Sequence, residues 1–168
     1  MAIVKPASIP PESQLYPSLA GADFYDAYEA ALSDTALPPT ELFLRAFRAT
    51  PPWVNSLMSV RNNIVKRLGL KDTGAMGRFT EKSPADYHVG DRLGIFSIFS
   101  MSPSEVVVGI DDKHLDVRVS VRKSIGQEPR YIVATVVKIH NLLGRVYMVP
   151  VGRIHPLVVR ALMRRAKV

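Results

Sequence analysis

Hydrophobic and polar positions recur along this chain in two rhythms, and the change falls near Arg92. Before it, apolar residues return at three- and four-residue steps, the period of a helix face; after it they return at two, the period of a strand. Thr40 to Arg48 sets Leu42, Phe43, Ala46 and Phe47 on one face directly after Pro38 and Pro39. Proline is tolerated in a first helical turn, so the spacing predicts a short helix, broken at Thr50-Pro51-Pro52. A longer helix is predicted from Val54, Leu57, Met58, Arg61, Ile64, Val65 and Leu68, with Gly69 as its stop. Phe24, Ala27, Tyr28, Ala31 and Leu32 also keep helical spacing, so Ala22 to Leu32 taken alone predicts a helix, although its aromatic residues would suit a strand. Residues 1–21, with Pro6, Pro10, Pro11 and Pro17, predict an irregular lead-in without the pattern of a secretory signal. Lys71 to Gly90, with Gly74, Gly77, Gly90 and Pro84, predicts a loop with one short extended piece.

Beyond Arg92, four strands are predicted: 92–101, 105–110, 115–123 and 130–140. The turns between them are short, at 102–104, 111–114 and 126–129, so neighbouring strands should run antiparallel. Leu115, Val117, Val119 and Val121 alternate with Asp116, Arg118, Ser120 and Arg122, giving one apolar and one polar face. Arg130 to His140 is apolar on both faces, as expected of a central covered strand. From Asn141 to Lys167 the pattern is helical again, with a bend or break expected around Pro150, Gly152 and Pro156. Helices segregated from an antiparallel sheet make an α+β domain, here spanning residues 22–168.

Several strings carry a resemblance. They are Ala22-Asp23-Phe24-Tyr25-Asp26-Ala27-Tyr28, then Pro52-Trp53-Val54 through Arg61-Asn62 to Leu68-Gly69-Leu70. Asp112-Lys113-His114-Leu115-Asp116 follows, and then His140-Asn141-Leu142-Leu143-Gly144-Arg145-Val146-Tyr147 to Ile154-His155-Pro156. Together they resemble the bacterial domain-of-unknown-function family 2867, found alone or behind an NmrA-like short-chain dehydrogenase domain. That family is similar to the START and birch-pollen-allergen (SRPBCC) superfamily. The resemblance implies a helix-grip fold, a curved antiparallel sheet wrapped around a long C-terminal helix, with two short helices after the first strand. It also makes the segment at Phe24 the first strand instead of a helix. Four strands are legible after the helices where the superfamily has six, which leaves 87–92 and 146–149 unassigned.

Composition narrows the function classes. The chain has 168 residues, no cysteine and 47% hydrophobic residues, which suits one folded domain without disulfides or thiolate sites. A reducing, cytoplasmic setting is expected. No contiguous apolar run reaches the eighteen or so residues of a membrane span. The net charge of +7 is polarised, −3 over residues 1–59 and +10 over the remainder, and no acid occurs from Lys138 to Val168. Such a cluster could attract phosphates or an anionic membrane surface. It also suits a helix end, because cations there offset the macrodipole and Arg160, Arg164 and Lys167 fall on one stripe. No aromatic interleaving or nucleic-acid motif accompanies it, so nucleic acid is not expected, and a protein partner on that basic face is the open alternative.

No serine elbow, phosphate loop or zinc-protease motif is present, and Thr73-Gly74-Ala75-Met76-Gly77 lacks the preceding strand of a dinucleotide site. The densest polar group is Asp111, Asp112, His114 and Asp116. On an extended backbone Asp112, His114 and Asp116 would share a face, suited to proton transfer or metal binding, whereas at a turn the aspartates would cap it and His114 and Asp116 would pair structurally. The spacing is no recognised metal motif, and neither metal nor cofactor is expected. Arg61 interrupts an apolar helix face and needs a carboxylate, with Asp116 or Asp26 the expected partner, or an anionic ligand. His140 is placed for a cavity mouth or a bond to Asn141, His155 for the start of the last helix, and Arg145 and Tyr147 for a ligand head group or a helix anchor.

The expected function is binding of a small apolar or amphipathic molecule between sheet and C-terminal helix, with Arg61, His114, Asp116, His140, Arg145 and Tyr147 as polar contacts. The alternatives are a cyclase-like enzyme with His114 and Asp116 as acid and base, and an accessory module for a dehydrogenase-type partner.

Overall fold

The computed structural model describes residues 2–67 and 82–168. Gly69, the glycines at 74 and 77 and the part of the expected 71–90 loop that spans 71–81 lie outside the described residues. Among the described residues seven strands form one antiparallel sheet: β1 (Lys5–Pro6), β2 (Phe24–Ala31), β3 (Arg92–Leu93), β4 (Phe96–Met101), β5 (Glu105–Asp111), β6 (Leu115–Ser124) and β7 (Arg130–Ile139). Their order is β1-β2-β7-β6-β5-β4-β3. Among the described residues there are three α-helices, α1 (Pro39–Arg48), α2 (Pro52–Arg67) and α3 (Leu142–Arg165). The class is α+β, with a C-terminal helix against the sheet.

Phe24 to Ala31 is a strand, as the resemblance implied and the local spacing did not. Both of its neighbouring positions Ala27 and Tyr28 are buried, one on each face of the sheet. A strand covered twice loses its alternation and can imitate a helical pattern. Residues 146–149, unassigned in the sequence, belong to α3.

One face of the sheet presents Tyr28, Val106, Val108, Val119, Val121, Tyr131 and Val133 to α1 and α3. Phe43 and Phe47 of α1 stack at 4.1 Å, and both meet Phe96 edge-on at 5.9 and 5.7 Å. Each such ring contact adds about 1 kcal/mol to the burial itself. The opposite face is covered by the lead-in, whose Ile9 and Leu15 pack on Ala27, Val107, Ile132, Ala134 and Val136. Central β7 is therefore buried continuously from Tyr131 to Val137.

Helix α3 runs unbroken for 24 residues with Pro150 and Pro156 inside it, where a bend or break was expected. Each proline removes one N–H bond, to the carbonyl of Val146 or Gly152, and those residues are exposed and half-buried, within reach of water. Asn141 caps the first turn, while Val159, Leu162 and Met163 hold the last turns in the core. By length and composition α3 could also cross a membrane, and it is the one such helix among the described residues, although 22% of the apolar stretch is buried in the fold. A count of contiguous apolar residues does not reveal this, because Arg153 and the prolines divide the stretch.

Candidate functional site

The start of α3 rests on the β5–β6 turn, and the contact organises a small cleft. Asn141, extended at φ −154°, accepts the Gly144 N–H through Oδ1 at 3.1 Å. Its amide nitrogen donates to the Lys113 carbonyl at 3.2 Å and lies 2.8 Å from His114 Nδ1. His114 Nδ1 also lies 3.1 Å from Asn141 Oδ1, so the amide engages this ring nitrogen through either of its atoms. Gly144 is the point of closest approach, since a Cβ there would stand 2.3 Å from the His114 carbonyl oxygen. From α2, Arg61 donates through Nε to the Tyr147 hydroxyl at 3.2 Å, with its guanidinium 5.8 Å from the ring centre. Leu115 and Leu143 add apolar side chains to the lining, and Asp112 adds a carboxylate. The interior measures about 20 Å³, room for one water-sized group.

Arg61, Asp112, His114 and Tyr147, four of the polar residues singled out in the sequence, thus line one cleft. The others lie elsewhere. Asp116 alternates to the opposite sheet face from Leu115, where its Oδ2 lies 3.0 Å from His140 Nε2. His114 and Asp116, expected to pair with one another, take Asn141 and His140 instead. Arg145 is exposed. Asp112 also accepts the Lys113 N–H as a turn cap, and Asp111 pairs with Arg118 at 2.7 Å. The basic stripe also divides: Arg160 turns toward the Tyr28 ring, Arg164 is exposed, and Lys167 lies past the helix end at φ 45°. The space expected to hold a ligand between sheet and helices is packed with Phe43, Leu93, Val108 and Tyr131, all fully buried.

The profile of a family described as "Protein of unknown function (DUF2867)" matches residues 18–162, which takes in every residue of the cleft. The chain belongs to that family. No curated protein matches it.

Two polar clusters of this DUF2867 member were not foreseen. His155 is no cap; it lies mid-helix, its Nδ1 2.8 Å from Asp26 Oδ2, tying α3 to β2 with Phe24 edge-on to the imidazole at 5.7 Å. Asp26 was expected as a partner of Arg61. Its Oδ1 is buried and has no hydrogen-bond partner among the described residues. Neighbouring Tyr28 has its hydroxyl pKa raised, first by burial and then by the Asp26 charge, against the lowering effect of Arg160. The signal was present, since Asp26 is the one acid on the inward alternation Phe24, Asp26, Tyr28, Ala30. The second cluster surrounds fully buried Glu105, which accepts from Ser13 Oγ at 2.5 Å, Gln14 N at 2.8 Å and Ser120 Oγ, with Arg122 at 3.5 Å. It fastens the lead-in to the sheet. Among the described residues no three acidic or histidine side chains converge as metal ligands.

Proposed function

We propose that this protein is a helix-grip binding module that seats the anionic head of a small amphipathic molecule in the cleft between α2, the β5–β6 turn and the start of α3. The observation that carries the reading is the convergence of Arg61, Tyr147 and His114 from three separate elements on one small opening. Their chemistry agrees. A guanidinium attracts a carboxylate or phosphate by its charge as well as by its N–H groups, of which Nε here goes to Tyr147 and Nη1 to Asn62 Oδ1 at 2.9 Å. The Tyr147 hydroxyl, already accepting from Arg61, keeps its own proton to donate, and His114, held by Asn141 through Nδ1, has Nε2 left for a head-group oxygen. With room for a single water-sized group, the cleft takes an oxygen of the head group while the apolar remainder lies outside, against Leu143 and Leu115. Whole-molecule burial is replaced by recognition at the edge of the fold. An acid–base reaction at His114 and Asp116 gains no support, because each of those side chains is held by a different partner.

Calorimetric titration of the full chain with octanoate, octyl phosphate and octanol tests the reading. The two anions should bind and the alcohol should not. Arg61→Gln should weaken anion binding about 10- to 100-fold, the worth of a hydrogen bond to a charged group. Equal binding of octanol, or an Arg61→Gln variant that binds octanoate as wild type does, would refute it.

A further inference from the structure

Leu142, Val146, Val149 and Leu157 form one stripe along α3, 54–75% exposed. At 1.5 Å per residue the stripe runs about 22 Å. Arg153 falls within it, and Arg145, Arg164 and Arg165 stand beside it and beyond its end, all exposed. Among the described residues no carboxylate meets any of these four arginines, and none occurs anywhere from Lys138 to Val168. A long apolar stripe studded with cations faces water without a partner.

The two properties together select an occupant. A second copy of the chain laid on the same stripe would bring arginine to arginine with no acid to separate them, which is repulsive. An uncharged apolar surface would use the leucines and valines and leave the cations idle. An anionic lipid surface uses both, because apolar side chains enter the acyl boundary while arginines reach up to the phosphates. A membrane span is ruled out by the helix's own inner face, where Val159, Leu162 and Met163 are buried in the core and His155 is tied to Asp26. We propose that α3 lies in the plane of an anionic lipid surface with its Leu142–Leu157 face down, docking the domain as a peripheral module. This contact is independent of the cleft.

Co-sedimentation of the full chain with vesicles tests it, using phosphatidylcholine alone and phosphatidylcholine mixed with phosphatidylglycerol. The protein should sediment with the mixed vesicles, remain in solution with the neutral ones, and be released by high salt. Arg153→Gln should weaken partition about 5-fold, and Arg153→Gln with Arg164→Gln about 30-fold. Val146→Ser with Leu157→Ser should abolish sedimentation. All four side chains project outward, so circular dichroism and the urea midpoint should match wild type. Arg61→Gln, which disables the cleft, should bind vesicles normally. The proposal is overturned if wild type ignores the mixed vesicles or if the arginine variants bind as wild type does. It is equally overturned if Val146→Ser with Leu157→Ser dissociates a dimer seen in sedimentation equilibrium, or if the face prefers a polyglutamate peptide to the vesicles, which would assign it to an acidic protein.

Discussion

Replacing Gly144 with alanine sets two effects of opposite sign against each other. In an open helix the exchange favours folding by about 1 kcal/mol. Here the new Cβ would stand 2.3 Å from the His114 carbonyl oxygen, 3.2 Å from its carbon and 2.9 Å from Ile139 Cγ2. The first distance is roughly 1 Å inside ordinary van der Waals contact. Ile139 can rotate, but the carbonyl is held by the His140 N–H at 2.9 Å. The first turn of α3 must therefore lift, stretching the Asn141 bonds to Gly144 and Lys113. Loss of the cap costs about 1 kcal/mol, the second bond about 1 kcal/mol, and residual overpacking about 1–3 kcal/mol. Once the helix gain is subtracted, Gly144→Ala should destabilise by about 2–4 kcal/mol, a fall of roughly 5–15 °C in Tm for a chain of this length. Gly152→Ala is the internal control, because its Cβ would meet only the Phe24 ring, at 3.4 Å, an ordinary contact. Urea unfolding of both variants should move their midpoints in opposite directions or leave Gly152→Ala unchanged. A Gly144→Ala midpoint at or above wild type, or equal losses in the two variants, would refute the close approach of α3 to the turn.

Two further outcomes follow from buried polar groups. Tyr131 is fully buried, donates to the Met163 carbonyl at 3.2 Å, and has its pKa pushed up to about 12 by burial, from 10.0. The fold holds the neutral phenol, so this contribution is complete below pH 10 and is lost as pH rises toward 12, by up to about 3 kcal/mol. Tyr131→Phe should flatten the decline of the urea midpoint across that window relative to wild type, the residue belonging to Tyr28; an unchanged slope would contradict the assignment. Glu105→Ala should cost about 3–5 kcal/mol, because it strands Ser13, Ser120 and Arg122 around an empty position. Amide exchange at Gln14 should accelerate beyond what the global loss explains, and normal protection there would show that Glu105 does not fasten the lead-in.

What the chain reveals by eye is what periodicity carries. The alternation of Leu115 to Val121 and the double apolarity of Arg130 to His140 depend on each residue's own environment, and the strands formed where they were expected. The lead-in was harder, because Ile9 and Leu15 cover a sheet face without any repeat, and their anchor Glu105 is about ninety residues away. The Asp26–His155 pair spans 129 positions and joins two elements whose mutual placement only the packed core decides.

The partner choice at the cleft is a different case, since it follows from register. β6 and β7 fold back around residues 125–129, so that Ser124 faces Arg130 and Leu115 faces Ile139. One residue further out, the same symmetry brings His140 opposite His114, where the His140 N–H reaches the His114 carbonyl at 2.9 Å. Asp116 lies opposite Lys138, hence on the diagonal from His140, a spacing that long side chains bridge. A strand-only view of Asp112, His114 and Asp116 places them on one face and suggests a catalytic trio. The hairpin instead gives Asp116 to His140 and leaves His114 at the turn, free of its expected acid and available to Asn141. The same register sets the exit of β7, so that Gly144 lands on the His114 carbonyl and Tyr147 faces Arg61 of α2. A one-residue slip of this hairpin would dismantle the cleft and would also turn Val117, Val119 and Val121 away from the helices while bringing Arg118 and Arg122 inward. The apolar alternation of β6, the five-residue turn and the Asn141 cap therefore commit the domain to this arrangement together.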